Sequence, residues 1–149
     1  MSPMPARGIR RIVSSIACAA LVVSACSDSV TFDKAAAGSY KLTSINSQPL
    51  PFTLPGTPAG TTAVITSGSL ILLENGRFDE VIKGSLTTPD TATTTNAHTV
   101  GDVSASAGSI TFKPHFENSY SGTYTATTVT YSKQPISSVT LVYVFTRTN

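Results

Sequence analysis

The chemistry open to this chain begins with its two thiols, Cys18 and Cys26. Cys26 directly follows Val23-Ser24-Ala25, and upstream lie Arg7, Arg10, Arg11 and the apolar run 12–23, broken only by Ser14 and Ser15. Basic residues, an apolar run and small residues before a cut are the parts of a secretory leader. A thiol just past the cut is a nucleophile able to take a lipid. The other reactive groups are sparse. His98 and His115 stand seventeen residues apart without a carboxylate or cysteine at ligand spacing, so no metal site is expected. Serines are abundant, yet none lies in a Gly-x-Ser-x-Gly elbow, and a serine triad would have only these two histidines to draw on. Asp79 and Glu80 are adjacent, and neighbouring residues of a strand point to opposite faces, which keeps the pair from acting on one substrate atom. No phosphate-binding glycine loop occurs. The balance is against an enzyme, and no cofactor is expected.

The leader is too short to span a bilayer, which takes roughly 20 apolar residues. It resembles a bacterial lipoprotein signal peptide: a branched aliphatic at Val23, small Ser24 and Ala25 for a narrow peptidase groove, then Cys26. An ordinary leader cut after Ala25 is the alternative. Arg10-Arg11 invites a twin-arginine reading, but the flanking residues match poorly and the general secretory route is favoured. The lipoprotein resemblance implies cleavage between Ala25 and Cys26, lipidation of Cys26 and a membrane as partner. Each buried CH₂ contributes about 0.8 kcal/mol, so two long acyl chains already make release negligible. In Gram-negative lipoproteins an Asp after the cysteine favours the inner membrane; Ser27 here implies the outer membrane of the cell envelope.

Residues 1–25 as leader leave 124 residues, which suits one domain. Three of the ten basic residues lie in that leader, so seven remain against eight acidic ones. Without a basic patch, no nucleic-acid partner is expected. With Cys18 lost and Cys26 acylated, stability must come from the core alone.

Residues 26–37 read as a lipidated tether, whose stretch 27–37 reaches about 36 Å when extended. One helical turn is expected within it, with Thr31 as N-cap and Gly38 as terminator. Residues 38–149 read as an all-β domain: short apolar alternations broken by turn signals about every ten residues predict an antiparallel meander. Strand one, 40–46, has Tyr40 and Leu42 on one face and Ile45 out of phase, which predicts a bulge near Ser44. The proline-bearing stretch 49–58 is read as an edge or a loop over a barrel mouth. Strands 61–73 and 77–87 meet at Glu74-Asn75-Gly76. A three-residue loop with left-handed Gly76 pairs Leu72 with Phe78 and gives the inner face Leu70, Leu72, Phe78 and Ile82. The same register turns Glu80 inward, where it must be paired, wet or part of a ligand site. A bulge that returns Glu80 to solvent is the favoured expectation. Residues 87–95 are read as a mobile exposed loop, and further strands follow at 98–104, 109–113, 119–126, 128–132 and 138–147.

About eight strands in a meander favour closure into an up-and-down barrel, because closure removes exposed edges, and eight is the number whose interior holds one small ligand. A β-sandwich or half-barrel is the alternative. Gly38-Ser39-Tyr40 resembles the Gly-x-Trp signature of lipocalins, with Tyr for Trp. Arg147 matches the basic residue that this family lays over the ring, a cation–π contact. Gly68-x-Leu70-x-Leu72 and Asn75-Gly76-x-Phe78 are also similar to small lipoproteins of soil bacteria. The lipocalin resemblance implies a barrel closed by the pair Tyr40 and Arg147, with a small apolar ligand inside. Ligand-lining candidates are Leu72, Phe78, Glu80, Phe112, Tyr124, Tyr131 and Tyr143. If every bulky residue points inward the barrel is solid, which favours a structural or interaction lipoprotein with an envelope protein as partner; a layer of small inward residues favours a carrier.

Overall fold

A computed structural model describes residues 32–136 and 139–148 of this chain. The leader, Ala25, Cys26 and the Thr31 cap lie outside the described residues. The chain runs through a 3-10 turn (Lys34–Ala36), then β1 (Gly38–Ile45), β2 (Gln48–Pro49), β3 (Phe52–Thr53), β4 (Thr62–Leu72) and β5 (Arg77–Thr87). It continues through β6 (Ala92–Ser106), β7 (Ser109–Pro114), β8 (Tyr120–Tyr124), β9 (Thr128–Ile136) and β10 (Val139–Arg147). The eight longer strands form one closed antiparallel barrel in meander order, because β1 pairs with β10 on one side and with β4 on the other. The sandwich and half-barrel alternatives are thereby set aside. Among the described residues closure leaves only β2 and β3, two residues each, as edges.

Alternation of apolar and polar residues dictates the wall. Tyr40 and Leu42 are buried, the register slips between Leu42 and Ser44, and Ile45 is buried again. A bulge resets the period of two so that both ends of β1 face the core. The β4–β5 connection is the three-residue loop: Leu72 pairs with Phe78, the Leu73 amide donates to the Arg77 carbonyl, and Gly76 has φ +75°. The β8–β9 turn has neither Gly nor Asn. There Thr125 Oγ1 accepts from the amides of Thr127 and Thr128 at 3.2 and 3.0 Å, so a hydroxyl supplies the turn chemistry.

Three expectations change. The threonine-rich stretch is no long loop: Ala92 to Thr95 continue β6 against Gly84 to Thr87 of β5, and Thr88 and Thr91 close the turn through their hydroxyls at 2.9 Å. Exposed β-branched residues pair well on a pleated surface, which outweighs their polarity. Glu80 stays inside, 1% exposed, because it pairs in register with buried Leu70, while the shift in β4, between Ile65 and Ser67, falls opposite Gly84 and Lys83 and leaves the phase of β5 unbroken. The N-terminal segment belongs to the folded body from Phe32 onward rather than from Gly38. Asp33 caps the 3-10 turn, accepting from the Ala35 amide at 2.9 Å. Phe32 bridges Ala105, and the Asp33 amide donates to the Ala105 carbonyl. The segment thus plugs the barrel end where β1, β5, β7 and β9 begin.

Candidate functional site

The core is unevenly distributed along the barrel axis. Towards the plugged end, Phe78, Phe112, Tyr131 and Phe145 fill the interior. Phe78 meets Phe112 edge-on at 5.0 Å, and Tyr131 stacks on Phe145 at 5.6 Å. Rings in such offset and edge contacts stabilise beyond their burial by about 0.5–1.5 kcal/mol per pair. Towards the other end the inward positions become small, and Ala63, Gly84 and Ala97 leave room between Ile65, Ile82 and Leu54. The result is a cavity of about 860 Å³ open at the mouth. Pockets for small molecules run to roughly 300–1,000 Å³.

Its floor is polar and charged. The Glu80 carboxylate accepts hydrogen bonds from the Tyr131 hydroxyl, from the Tyr120 hydroxyl at 3.1 Å and from Lys133 Nζ at 3.3 Å. Lys133 also reaches Glu117 at 3.1 Å, and Glu117 accepts from Thr99 Oγ1 at 3.3 Å. A lone buried carboxylate is costly, and three donors offset that cost. Tyr120 stacks on Phe112 at 5.0 Å and lies under Lys133, whose Nζ is 5.3 Å from its centroid. Burial first, and the negative charge of Glu80 second, hold the phenols of Tyr120, Tyr131 and Tyr143 well above their ordinary pKa. These hydroxyls remain protonated donors. Tyr143 stacks on Tyr131 at 5.5 Å, is 3% exposed and lines the cavity.

The structure divides the ligand-lining candidates. Glu80 and Tyr143 line the cavity, and Tyr131 lies just beneath its floor. Leu72, Phe78 and Phe112 belong to the solid half. Tyr124 sits at the plugged end, its hydroxyl donating to Asp33 at 2.5 Å, so it is a plug residue and not a ligand contact. That bond lies over 91 residues of chain, beyond the reach of any local pattern. Lys133 and Thr99 were missed, although both are in phase with known core positions: Lys133 follows Val129 and Tyr131 at intervals of two, and Thr99 precedes Val103 and Ala105 likewise. Tyr120 was legible as an apolar strand residue. Glu117 lies in the β7–β8 loop, where no periodicity signals it.

At the plugged end, Tyr40 and Arg147 are direct partners across β1 and β10. The guanidinium lies 5.0 Å from the Tyr40 centroid and donates to the carbonyls of Ala35 and Ala37 at 2.6 and 2.8 Å. Gly38, at φ +151°, makes room: a Cβ there would stand 2.8 Å from Arg147 Nη1. Asp79 and His98 pair at 3.1 Å on the outside of the wall, away from the cavity. Among the described residues no three His, Cys, Asp or Glu side chains gather as a metal would need.

Comparisons with protein families, with curated proteins and with solved structures give no match to this chain.

Proposed function

We propose that this chain is a lipid-anchored envelope protein whose lipocalin-like barrel holds a small, largely apolar ligand in its mouth cavity without catalysing a reaction on it. One observation carries the binding reading: the interior is aromatic and solid at one end and lined by small residues at the other, leaving about 860 Å³ over a satisfied polar floor. Stability alone requires no such division, since a barrel of this size can be filled by side chains throughout. The non-catalytic reading rests on the placement of His98 and Asp79 on the outer wall, remote from Glu80 and Tyr143.

The anchor reading rests on the lipoprotein-like leader and Cys26. Phe32 enters at the plugged end, and the six residues from Cys26 extend about 20 Å at most. An anchor at Cys26 would therefore hold the plugged end to the bilayer and leave the mouth facing away from it. Ser27 favours the outer membrane.

Two experiments test this reading. Native mass spectrometry of the protein purified from its own host should find a retained small molecule; consistently bare protein speaks for a structural lipoprotein. Metabolic labelling with a fatty acid should mark the wild type and not Cys26→Ala, and label on that variant would overturn the anchor.

A further inference from the structure

We infer that the mouth cavity selects an apolar molecule ending in a protonated amine and discriminates against the matching carboxylate. This inference rests on the cavity being a ligand site.

The charges on the lining are unequal: Glu80 and Glu117 are two carboxylates for the single ammonium of Lys133. Lys133 Nζ is already shared between them, at 3.3 and 3.1 Å. An incoming carboxylate therefore meets an ammonium that is neutralised twice over and a surplus negative charge. A protonated amine meets that surplus as attraction. Lys133 is 18% and Glu117 45% exposed, so water screens part of this field, and its sign sets the direction of the preference.

The hydrogen-bonding capacity agrees with the charge. A carboxylate offers about four lone-pair sites. Glu80 already accepts three bonds, whereas Glu117 accepts two and its side chain is 45% exposed at the rim. Tyr143 adds a second group. Its side chain is almost wholly buried, it lines the cavity, and among the described residues its hydroxyl has no hydrogen-bond partner. Among the described residues Arg147 Nε is the one buried side-chain polar atom without a partner, so the Tyr143 hydroxyl opens onto the cavity, where a ligand atom can take the place of water. Its oxygen can accept an N–H from an amine. The apolar body of the ligand would run past Ala63, Gly84 and Ala97 towards Leu54.

The test uses the full chain carrying Cys26→Ala, which removes the acyl acceptor, and the neutral apolar dye Nile red as probe. Dye fluorescence should rise on binding, and dodecylamine, dodecanol and dodecanoate then compete at pH 7. Dodecylamine should displace the dye at a concentration about tenfold lower than dodecanoate, with dodecanol between them. Glu117→Gln, which keeps the side-chain shape and removes one negative charge, should bring the amine and carboxylate values together. Dodecanoate competing as well as dodecylamine, or a ratio untouched by Glu117→Gln, overturns the selectivity while leaving the cavity as a ligand site. A chain that binds no Nile red, dodecylamine or dodecanol overturns both readings at once.

Discussion

Arg147 Nη2 donates to the Tyr40 hydroxyl at 2.7 Å, and that hydroxyl in turn donates to the Ala36 carbonyl at 2.7 Å. The last strand, the first strand and the N-terminal plug are thereby joined through two side chains 107 residues apart. Burial raises the pKa of the Tyr40 phenol, so it remains a donor, while Arg147 beside it acts in the opposite sense. The contact seals the seam of the barrel and fixes its closed end.

Tyr40→Leu and Arg147→Met should therefore be coupled. A double-mutant cycle read by urea unfolding should give about 1–2 kcal/mol, above the range for an exposed cation–π pair because Tyr40 is 2% exposed and hydrogen-bonded as well. Strict additivity would mean that the pair contributes nothing to closure.

Gly76→Val places a β-branched residue at φ +75°. The strain should lower stability by more than about 1 kcal/mol and the thermal midpoint by several degrees. An unchanged midpoint would contradict the three-residue loop.

Tyr131→Phe and Tyr143→Phe remove the same atom with opposite expected results. Tyr131 donates to buried Glu80, so its loss leaves the carboxylate short of a donor and should cost about 1–3 kcal/mol. Tyr143 has no bonded partner among the described residues, so its loss should leave the unfolding midpoint unchanged or raised. Equal destabilisation of the two variants would count against this division of roles.

Alkali should unfold the barrel from about pH 10 upward. All five tyrosines have pKa values raised above 10.0: Tyr40, Tyr120, Tyr131 and Tyr143 chiefly by burial, and Tyr124 chiefly by its bond to Asp33. A phenol that stays protonated when folded but ionises near pH 10 when unfolded binds more protons in the native state. Stability from this source is therefore complete below pH 10 and is lost as pH climbs towards the folded values. Phenolate absorbance should stay low in native protein at pH 10 and appear together with loss of far-ultraviolet circular dichroism. Full ionisation of a still-folded chain would refute the burial of these rings.

The sequence by itself determined the strands, their turns and much of their phase. Asn75-Gly76 set the Leu72–Phe78 register, and the slip from Leu42 to Ile45 announced the β1 bulge. These signals are local: a period of two decides which face is buried, and left-handed turn positions select glycine. The family-like residues at Gly38, Tyr40 and Arg147 were also readable, since each has a distinctive type. Tertiary structure decided the rest. Whether Glu80 lies inside depended on donors 40, 51 and 53 residues away, at Tyr120, Tyr131 and Lys133, which no local window contains. The threonine-rich stretch became strand because β5 offered it a full ladder, and the supposed tether became a plug because Ala105, Tyr124 and Arg147 were there to hold it. Along β5 the inward positions run from Phe78 through Glu80 and Ile82 to Gly84, but only closure set Gly84 and Ala97 facing Lys133 and Tyr143 of β9 and β10 around one cavity.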